Sequence, residues 1–299
     1  MIDARSMSSA VVEKRPWSGF AWMALAYLVA HVAAGAAIHF LEGRHPLFLI
    51  GAGSLAATVA LFVFSRAFSN SSFFDAYWSV APASMVAWLA FNARSSDGLT
   101  TRQWLILSLV FIYALRLTWN WARGWTGLAH EDWRYVDLRN QTGKLYWLVS
   151  FVGLHFFPAL MVFVGVIPLY TALVESPAGF GALDIVAAVV TLGAIIIETV
   201  ADEQLRNFRR AQVDGGICNV GLWSWSRHPN YFGECVAWWG FGVLGLTWWS
   251  WIGPAVMTFL LLRVSGVTLL ERTIAERRPA YAAYVQRVST FVPRPPRSP

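Results

Sequence analysis

"ALDIVAAVVTLGAIIIETVADEQL", residues 182–205, is the stretch on which the fold turns. Read as a helix, it supplies the roughly 20 mostly apolar positions that a bilayer crossing needs, with acids gathered towards its end. Comparable apolar stretches lie near 17–41, 46–65, 73–91, 103–121, 146–171, 231–246 and 249–271. The chain of 299 residues is 57% hydrophobic and 13% charged, against the roughly 25% charged residues of a soluble domain. These features predict an all-α, polytopic membrane bundle of about eight transmembrane helices. The run at 231–246 is short, and Gly245 to Pro254 predicts a tight hairpin or a re-entrant kink.

The net charge of +6 does not point to nucleic acid, which would need the basic residues gathered on one soluble face. They follow topology instead. With the amino terminus inside, every Lys and Arg falls on the cytoplasmic side except Arg44, Arg94 and Arg102 outside and Arg116 and Arg263 within helices. This is the positive-inside pattern, and it places both termini in the cytoplasm. The first apolar run ends in AGAA, as a secretory leader does, but it is longer than a usual leader core, and the segment before it carries acids. A retained helix is expected. Cys218 and Cys235 fall on the cytoplasmic side or just inside the membrane, where a disulfide is not expected, and both read as structural. No internal repeat or Gly/Ser linker divides the chain. The organisation is a cytoplasmic segment over 1–16, two helices over 17–69, one membrane domain over 70–293 and a flexible tail over 294–299.

Ionisable groups within spans are costly and mark functional sites by default. Asp75, Tyr113, Arg116, Asn120, Glu198, Asp202, Glu234, Arg263 and Glu271 all fall in the cytoplasmic half or at that interface. A channel would be lined along its whole length, and a transporter would break its helices at the midplane. The distribution describes a cavity open to the cytoplasm. Glu198, Asp202, Leu205 and Arg209 form one helical stripe, as do Tyr113, Arg116 and Asn120. The first stripe suits a ribose or amide and a phosphate, or else an intrahelical ion-pair ladder. A buried phenol at 113 needs a partner, either a substrate carbonyl or another side chain. The cytoplasmic segments 123–144, 204–231 and 271–294 alternate arginines with tryptophans and tyrosines. A nucleotide cofactor fits that alternation, and anionic headgroups explain the arginines equally well.

In "HEDWRY", residues 130–135, adjacent side chains rarely converge on one ion, and no second His or Cys set stands at ligand spacing. No metal is expected. Asp132 and Arg134 read as a loop-ordering ion pair, with Trp133 at the membrane interface. His155 reads as a satisfied core histidine.

"GLWSWSRHPNYFGE", residues 221–234, with "FFDAYWS", "YALRLTWNWARGW", "HEDWRY", "ETVADEQLRNF", "SGVTLLE" and "YAAYVQRVSTFVP", resembles the bacterial DUF1295 branch of the steroid 5-alpha-reductase family, related to the sterol C14 and C7 reductases. The resemblance covers roughly residues 70–293. It implies a membrane oxidoreductase acting on CH–CH bonds, of the 3-oxo-5-alpha-steroid 4-dehydrogenase kind, which takes NADPH from the cytoplasm and reduces a double bond in a lipid. By position, it implies that Asp202, Leu205 and Arg209 contact cofactor, that Asn230 and Tyr231 bind the nucleotide, and that Tyr284 lies near the adenine. Tyr113 matches the catalytic tyrosine, and Arg116 the arginine three residues later. Where steroid reductases carry Gln-Glu on the preceding helix, this chain has Asp75 and Tyr77, and Glu198 stands for an asparagine.

On that reading the phosphates rest on Arg209, Arg227 and Arg277 or Arg278. Tyr113, helped by Asp75, donates a proton to an enone oxygen, and His228 orients Asn230 or touches a phosphate. The membrane would be a bacterial inner membrane. Arg-His-Pro followed by an aromatic also resembles the isoprenylcysteine carboxyl methyltransferases, which use S-adenosylmethionine. The many arginines suit a dinucleotide better than a cofactor without phosphate. A non-catalytic lipid-binding protein would not need Tyr113 and Asp75 at depth.

Overall fold

The computed structural model describes residues 16–175, 179–211, 216–264, 266–278 and 280–297. The leader over 1–15 and the last two residues of the tail lie outside the described residues. The elements in order are α1 (Pro16–Phe40), α2 (Pro46–Ala67), α3 (Tyr77–Asn92), α4 (Thr101–Gly124), α5 (Trp133–Thr142), α6 (Tyr146–Ser150), α7 (Phe157–Tyr170), α8 (Ala182–Arg210), α9 (Pro229–Gly245), α10 (Ile252–Phe259), α11 (Val267–Arg277) and α12 (Tyr281–Arg287). Among the described residues there is no strand. The chain is all-α, as its composition predicts.

Helix α8 shows what solvent this fold is built for. It buries Asp184, Ala187, Thr191, Ala194, Glu198 and Ala201, while Ile185, Val189, Ile196 and Val200 are exposed. Large branched side chains outside with small and polar ones inside is the reverse of a water-soluble helix. It is the pattern expected where lipid covers the surface and small residues let helices approach. The chain is an integral, multi-pass membrane protein. Six helical segments are long and apolar enough to cross: Trp17–Phe40, Pro46–Ala67, Thr101–Gly124, Trp133–Glu175, Ala182–Arg210 and Trp248–Glu271. The other two of the eight expected spans correspond to α3 and α9, of 16 and 17 residues. At about 1.5 Å per residue these fall short of a hydrocarbon core roughly 30 Å thick.

The chain forms two compact units, one of residues 1–81 and 121–160, the other of 82–120 and 161–299. In the first, α1 lies along α2 at Gly53, where a Cβ would stand 3.1 Å from Ile38 Cδ1. The segment after α2 is tied to the HEDWRY loop. Asn70 accepts from the Ser72 amide and donates to the carbonyls of Leu128 and His130 at 2.8 and 3.1 Å. Glu131 accepts from the Ser71 amide at 2.7 Å and from Arg139 at 2.9 Å. The expected Asp132–Arg134 pair is present at 2.9 Å, and Asp132 also caps α5 through the Arg134 amide. His155 is fully buried between Ser65 Oγ at 2.9 Å and the Ser150 carbonyl at 3.0 Å, a satisfied core histidine.

In the second unit α8 and α9 meet at glycines. A Cβ on Gly233 would lie 2.8 Å from Glu198 Cβ and 2.9 Å from the Ala194 carbonyl, and one on Gly240 would lie 2.2 Å from Thr191 Oγ1. After α9 the chain turns through Leu246, at φ 56°, and a 3-10 turn over Trp248–Trp251 into α10, so the Gly245–Pro254 segment is the tight hairpin. Cys218 and Cys235 are buried and free.

Arg102, at the start of α4, is 4% exposed. Its Nε donates to Asp184 Oδ1 at 2.8 Å, Nη1 to the Ala172 carbonyl at 3.1 Å and Nη2 to the Leu244 carbonyl at 2.6 Å. One guanidinium thereby pins α4, α8, the end of α9 and the turn after α7. Arg102→Met leaves Asp184 buried without its partner and should cost about 3–5 kcal/mol, read as a lower melting midpoint in detergent. Arg102→Met with Asp184→Leu should recover most of that loss.

Candidate functional site

The second unit gathers the polar faces of α4, α8 and α9 in one place. Arg116 Nη1 lies 2.5 Å from Glu198 Oε1, and Arg116 also donates to Asp202. Asn120, one turn further along α4, donates to Asp202 Oδ2 at 2.8 Å, and Asn230 of α9 donates to Asp202 Oδ1 at 3.2 Å. Arg206 closes the ring by donating to Asn120 Oδ1 at 2.7 Å. Two stripes expected from helical spacing therefore face each other. Arg116 is paired with two carboxylates, the compensation a buried charge requires.

Deeper in the same unit, Tyr113 is fully buried, and its hydroxyl donates to Glu234. Glu234 Oε1 also accepts from the Trp238 indole at 2.8 Å. The Tyr113 ring meets Trp238 and Phe241 edge-on at 5.8 and 5.6 Å. Trp238 in turn lies against Gly165 of α7, where a Cβ would stand 2.6 Å from the indole. Packing on all sides leaves the phenol one orientation.

The expected pairing of Tyr113 with Asp75 is not what forms. Asp75 belongs to the first unit, where it accepts from the Tyr135 hydroxyl at 2.6 Å. Glu234, the actual partner, closes the His-Pro-Asn-Tyr motif and was legible only as one acid among several at the cytoplasmic end. Arg206 also went unassigned, although it stands four residues after Asp202, on the same helical face.

The Arg-His-Pro-Asn turn divides its residues between two tasks. Gly221, at φ 55°, leaves room for the Gln204 carboxamide, whose Oε1 accepts from the Leu222 amide at 3.0 Å. The Trp223 indole donates to the Ala201 carbonyl at 2.8 Å. Pro229 opens α9 at a position that has no use for an N–H. Arg227 then spends all its donors inward: Nε and Nη2 on Glu271 at 2.8 and 3.2 Å, Nη1 on the carbonyls of Val285 and Val288, and Nη2 on Thr290 Oγ1 at 2.7 Å. A guanidinium has five N–H donors, and these five contacts leave none for a phosphate. This corrects the phosphate role expected of Arg227.

His228 pairs through Nε2 with Glu271 at 3.2 Å and stacks on Tyr231 with the rings 5.8 Å apart. Arg278 donates to the Gly216 carbonyl. The side chain of Arg277 lies outside the described residues.

Leu205 is half-buried and Arg209 exposed, further along the Asp202 face. The Tyr284 hydroxyl donates to the Trp223 carbonyl, and its ring lines a cleft of about 340 Å³ with Asn219, Ser224 and Arg287. Burial, with Tyr281, Cys218 and Glu271 nearby, pushes the Tyr284 phenol above the ordinary tyrosine range, so it stays neutral throughout the physiological range. Among the described residues no group of three or more His, Cys, Asp or Glu is placed to hold a metal. Arg227→Ala should free α12 from the turn. Chymotrypsin should then cut within 281–297 faster by about tenfold or more, matching the loss of charge-assisted bonds worth ~1.5–3 kcal/mol, whereas Arg209→Ala should leave that rate unchanged.

The chain is similar over 257 residues, at 26% identity, to the uncharacterized protein C594.04c of Schizosaccharomyces pombe, a match covering 75% of this chain and 73% of the relative. No solved structure matches it. The family described as "Protein of unknown function (DUF1295)" matches residues 61–288, a span that contains every residue of the Tyr113–Glu234 and Arg116–Asp202 clusters. This chain belongs to the DUF1295 family.

Proposed function

We propose that the protein is a membrane-embedded, NADPH-dependent reductase of a carbon-carbon double bond in a lipid or steroid-like enone, within the wider steroid 5-alpha-reductase superfamily. The observation that carries this reading is the adjacency, in one unit, of a fully buried phenol held by a carboxyl group and a polar ring of Arg116, Asn120, Asp202 and Asn230. The chemistry of that donor set fits the amide and ribose end of a dinucleotide. Carboxylate and carboxamide oxygens accept from hydroxyls, and the carboxamide and guanidinium N–H groups donate. The phosphate end falls to Arg209, exposed on the same face of α8, with Arg278, which spends one donor on the Gly216 carbonyl, as a second cation, whereas all five Arg227 donors are engaged within the fold. Glu198 sits where the resemblance has an asparagine, and it adds an acid beside the ring.

When bound, the cofactor would supply the hydride. This chain's residues do the rest. Arg116 and Asp202 orient the nicotinamide end, and Phe241 and Trp238 exclude water from the phenol. Tyr113 donates a proton to the oxygen of the substrate as negative charge develops there. A phenol is neutral at physiological pH and is a suitable donor to an enolate. The distribution of arginines and lysines supports both termini in the cytoplasm, and the resemblance to the bacterial branch supports a bacterial inner membrane.

The purified protein should be stabilised against heat by NADPH more than by NADH or S-adenosylmethionine. Stabilisation by S-adenosylmethionine alone would instead support the methyltransferase alternative. Tyr113→Phe should lower turnover by about 10²–10⁴-fold with NADPH affinity intact, and unchanged turnover removes Tyr113 from the mechanism. Arg209→Ala should weaken NADPH binding by about 10–100-fold, the loss of one charge-assisted contact, and equal affinity discards its role.

A further inference from the structure

Two buried carboxylate oxygens in the second unit lack a hydrogen-bond partner, Glu198 Oε2 and Glu234 Oε2. They are not scattered. Gly233 brings the start of α9 against Glu198, so close that a Cβ there would stand 2.8 Å from Glu198 Cβ, and Glu234 is the next residue of α9, so both buried carboxyl groups arise where the two helices touch. Two carboxylates in contact are both acceptors, and no hydrogen bond joins them unless one carries a proton.

The remaining oxygens are committed. Glu198 Oε1 faces Arg116, and Glu234 Oε1 takes both the Tyr113 hydroxyl and the Trp238 indole. Among the described residues, the charged and titratable groups facing the pair are Tyr113 and Arg116 from α4, Asp202 from α8 and the buried Cys235 thiol from α9, while α7 sets Gly165 against Trp238. Among the described residues, Arg116 is the cation paired with Glu198, and it is shared with Asp202.

We infer that Glu198 and Glu234 hold one proton between them, and that this pair reloads Tyr113 after the phenol has given its own proton away. The inference rests on the reductase reading for its timing, and on the geometry of the pair for its existence. At rest, one O–H joins the two carboxyl groups, and Tyr113 donates to Glu234. When the Tyr113 O–H bond breaks, its proton forms the new O–H on the substrate's enolate oxygen and a phenolate is left. The Glu198–Glu234 O–H then breaks, and its proton passes through the Glu234 carboxyl to Tyr113 Oη. The pair keeps one further negative charge beside Arg116 until a proton from water restores it. These steps move protons only, and the two electrons of the reduction come with the hydride. Glu198 and Glu234 thus act through Tyr113, as positioning residues.

The test uses the full chain in detergent, first with neither cofactor nor substrate. Infrared spectra in H₂O and D₂O should show a carboxylic-acid C=O band that shifts on deuteration. Glu198→Gln and Glu234→Gln should each abolish it, because a glutamine amide donates where the proton had been and keeps the contact. Glu198→Asp, which retains an acid, should keep the band. Melting midpoints within a few degrees of wild type establish that the variants fold. A band unchanged in both glutamine variants overturns the shared proton.

Turnover is the second arm. In both glutamine variants it should fall by about tenfold or more, with NADPH affinity kept and the pH profile changed. Unaltered turnover and pH profile overturn the reloading role. The two readings fail separately. If the band behaves as stated but NADPH neither binds nor is consumed, the reductase reading falls and the proton pair stands. If Tyr113→Phe abolishes turnover but no band is found, the pair falls and the reductase reading stands.

Discussion

Arg116 is the charge around which the second unit is organised. A guanidinium at this depth is tolerated only with compensating acids at contact distance, and here they come from the next helix, as Glu198 and Asp202. That demand decides which way α8 turns. Asp184, Glu198, Asp202 and its small residues face α4 and α9, and Ile185, Val186, Val189, Ile196 and Val200 are left to the lipid. Asp202 then draws in Asn120 and Asn230, so one ion pair recruits side chains from three helices. Arg102 and Asp184 repeat the device nearer the other end of α4, with backbone carbonyls as the remaining acceptors. Between these two buried pairs lie the Tyr113 phenol and Thr191, packed against Gly240.

Where charge fixes rotation, small residues fix distance. Gly233 and Gly240 let α9 approach α8 until backbone and Cβ atoms touch, and Gly165 accepts the Trp238 indole. A bilayer supplies no hydrophobic force between helices, so close contact of this kind is what holds them. The consequence is chemical as well as structural. Trp238 and Phe241 meet the Tyr113 ring edge-on, and the hydroxyl is left with a carboxyl oxygen as partner. In the first unit, Asn70, Glu131, Asp132 and Arg139 make a different polar knot, which orders a loop and takes in the buried Tyr146 phenol through Glu131.

Adjacent residues in the Arg-His-Pro-Asn motif do unlike work. Arg227 and His228 bind Glu271 and hold the carboxy-terminal helices to the turn. Two residues on, Asn230 belongs to the Asp202 ring. Pro229 between them starts the helix, and that change of backbone direction is what separates the two roles. A partly buried polar ring and internal scaffolding share one run of four letters.

Hydropathy and helical spacing determined a great deal alone: an all-α membrane chain, the site faces of α4 and α8, the Asp132–Arg134 pair and the core role of His155. Each follows from local rules, because a helix places residues three, four and seven apart on one side whatever surrounds it. Partners did not follow. Nothing along the chain distinguishes an arginine whose five donors are spent, such as Arg227, from one that is exposed, such as Arg209. Nor does a charge near a helix end announce that it is buried, as Arg102 is. The partner of Tyr113 lies 121 residues away, and Glu198 comes against the start of α9 only because two helices close on Gly233. Which donor reaches which acceptor is settled by distances between helices, and those exist only once the chain has folded.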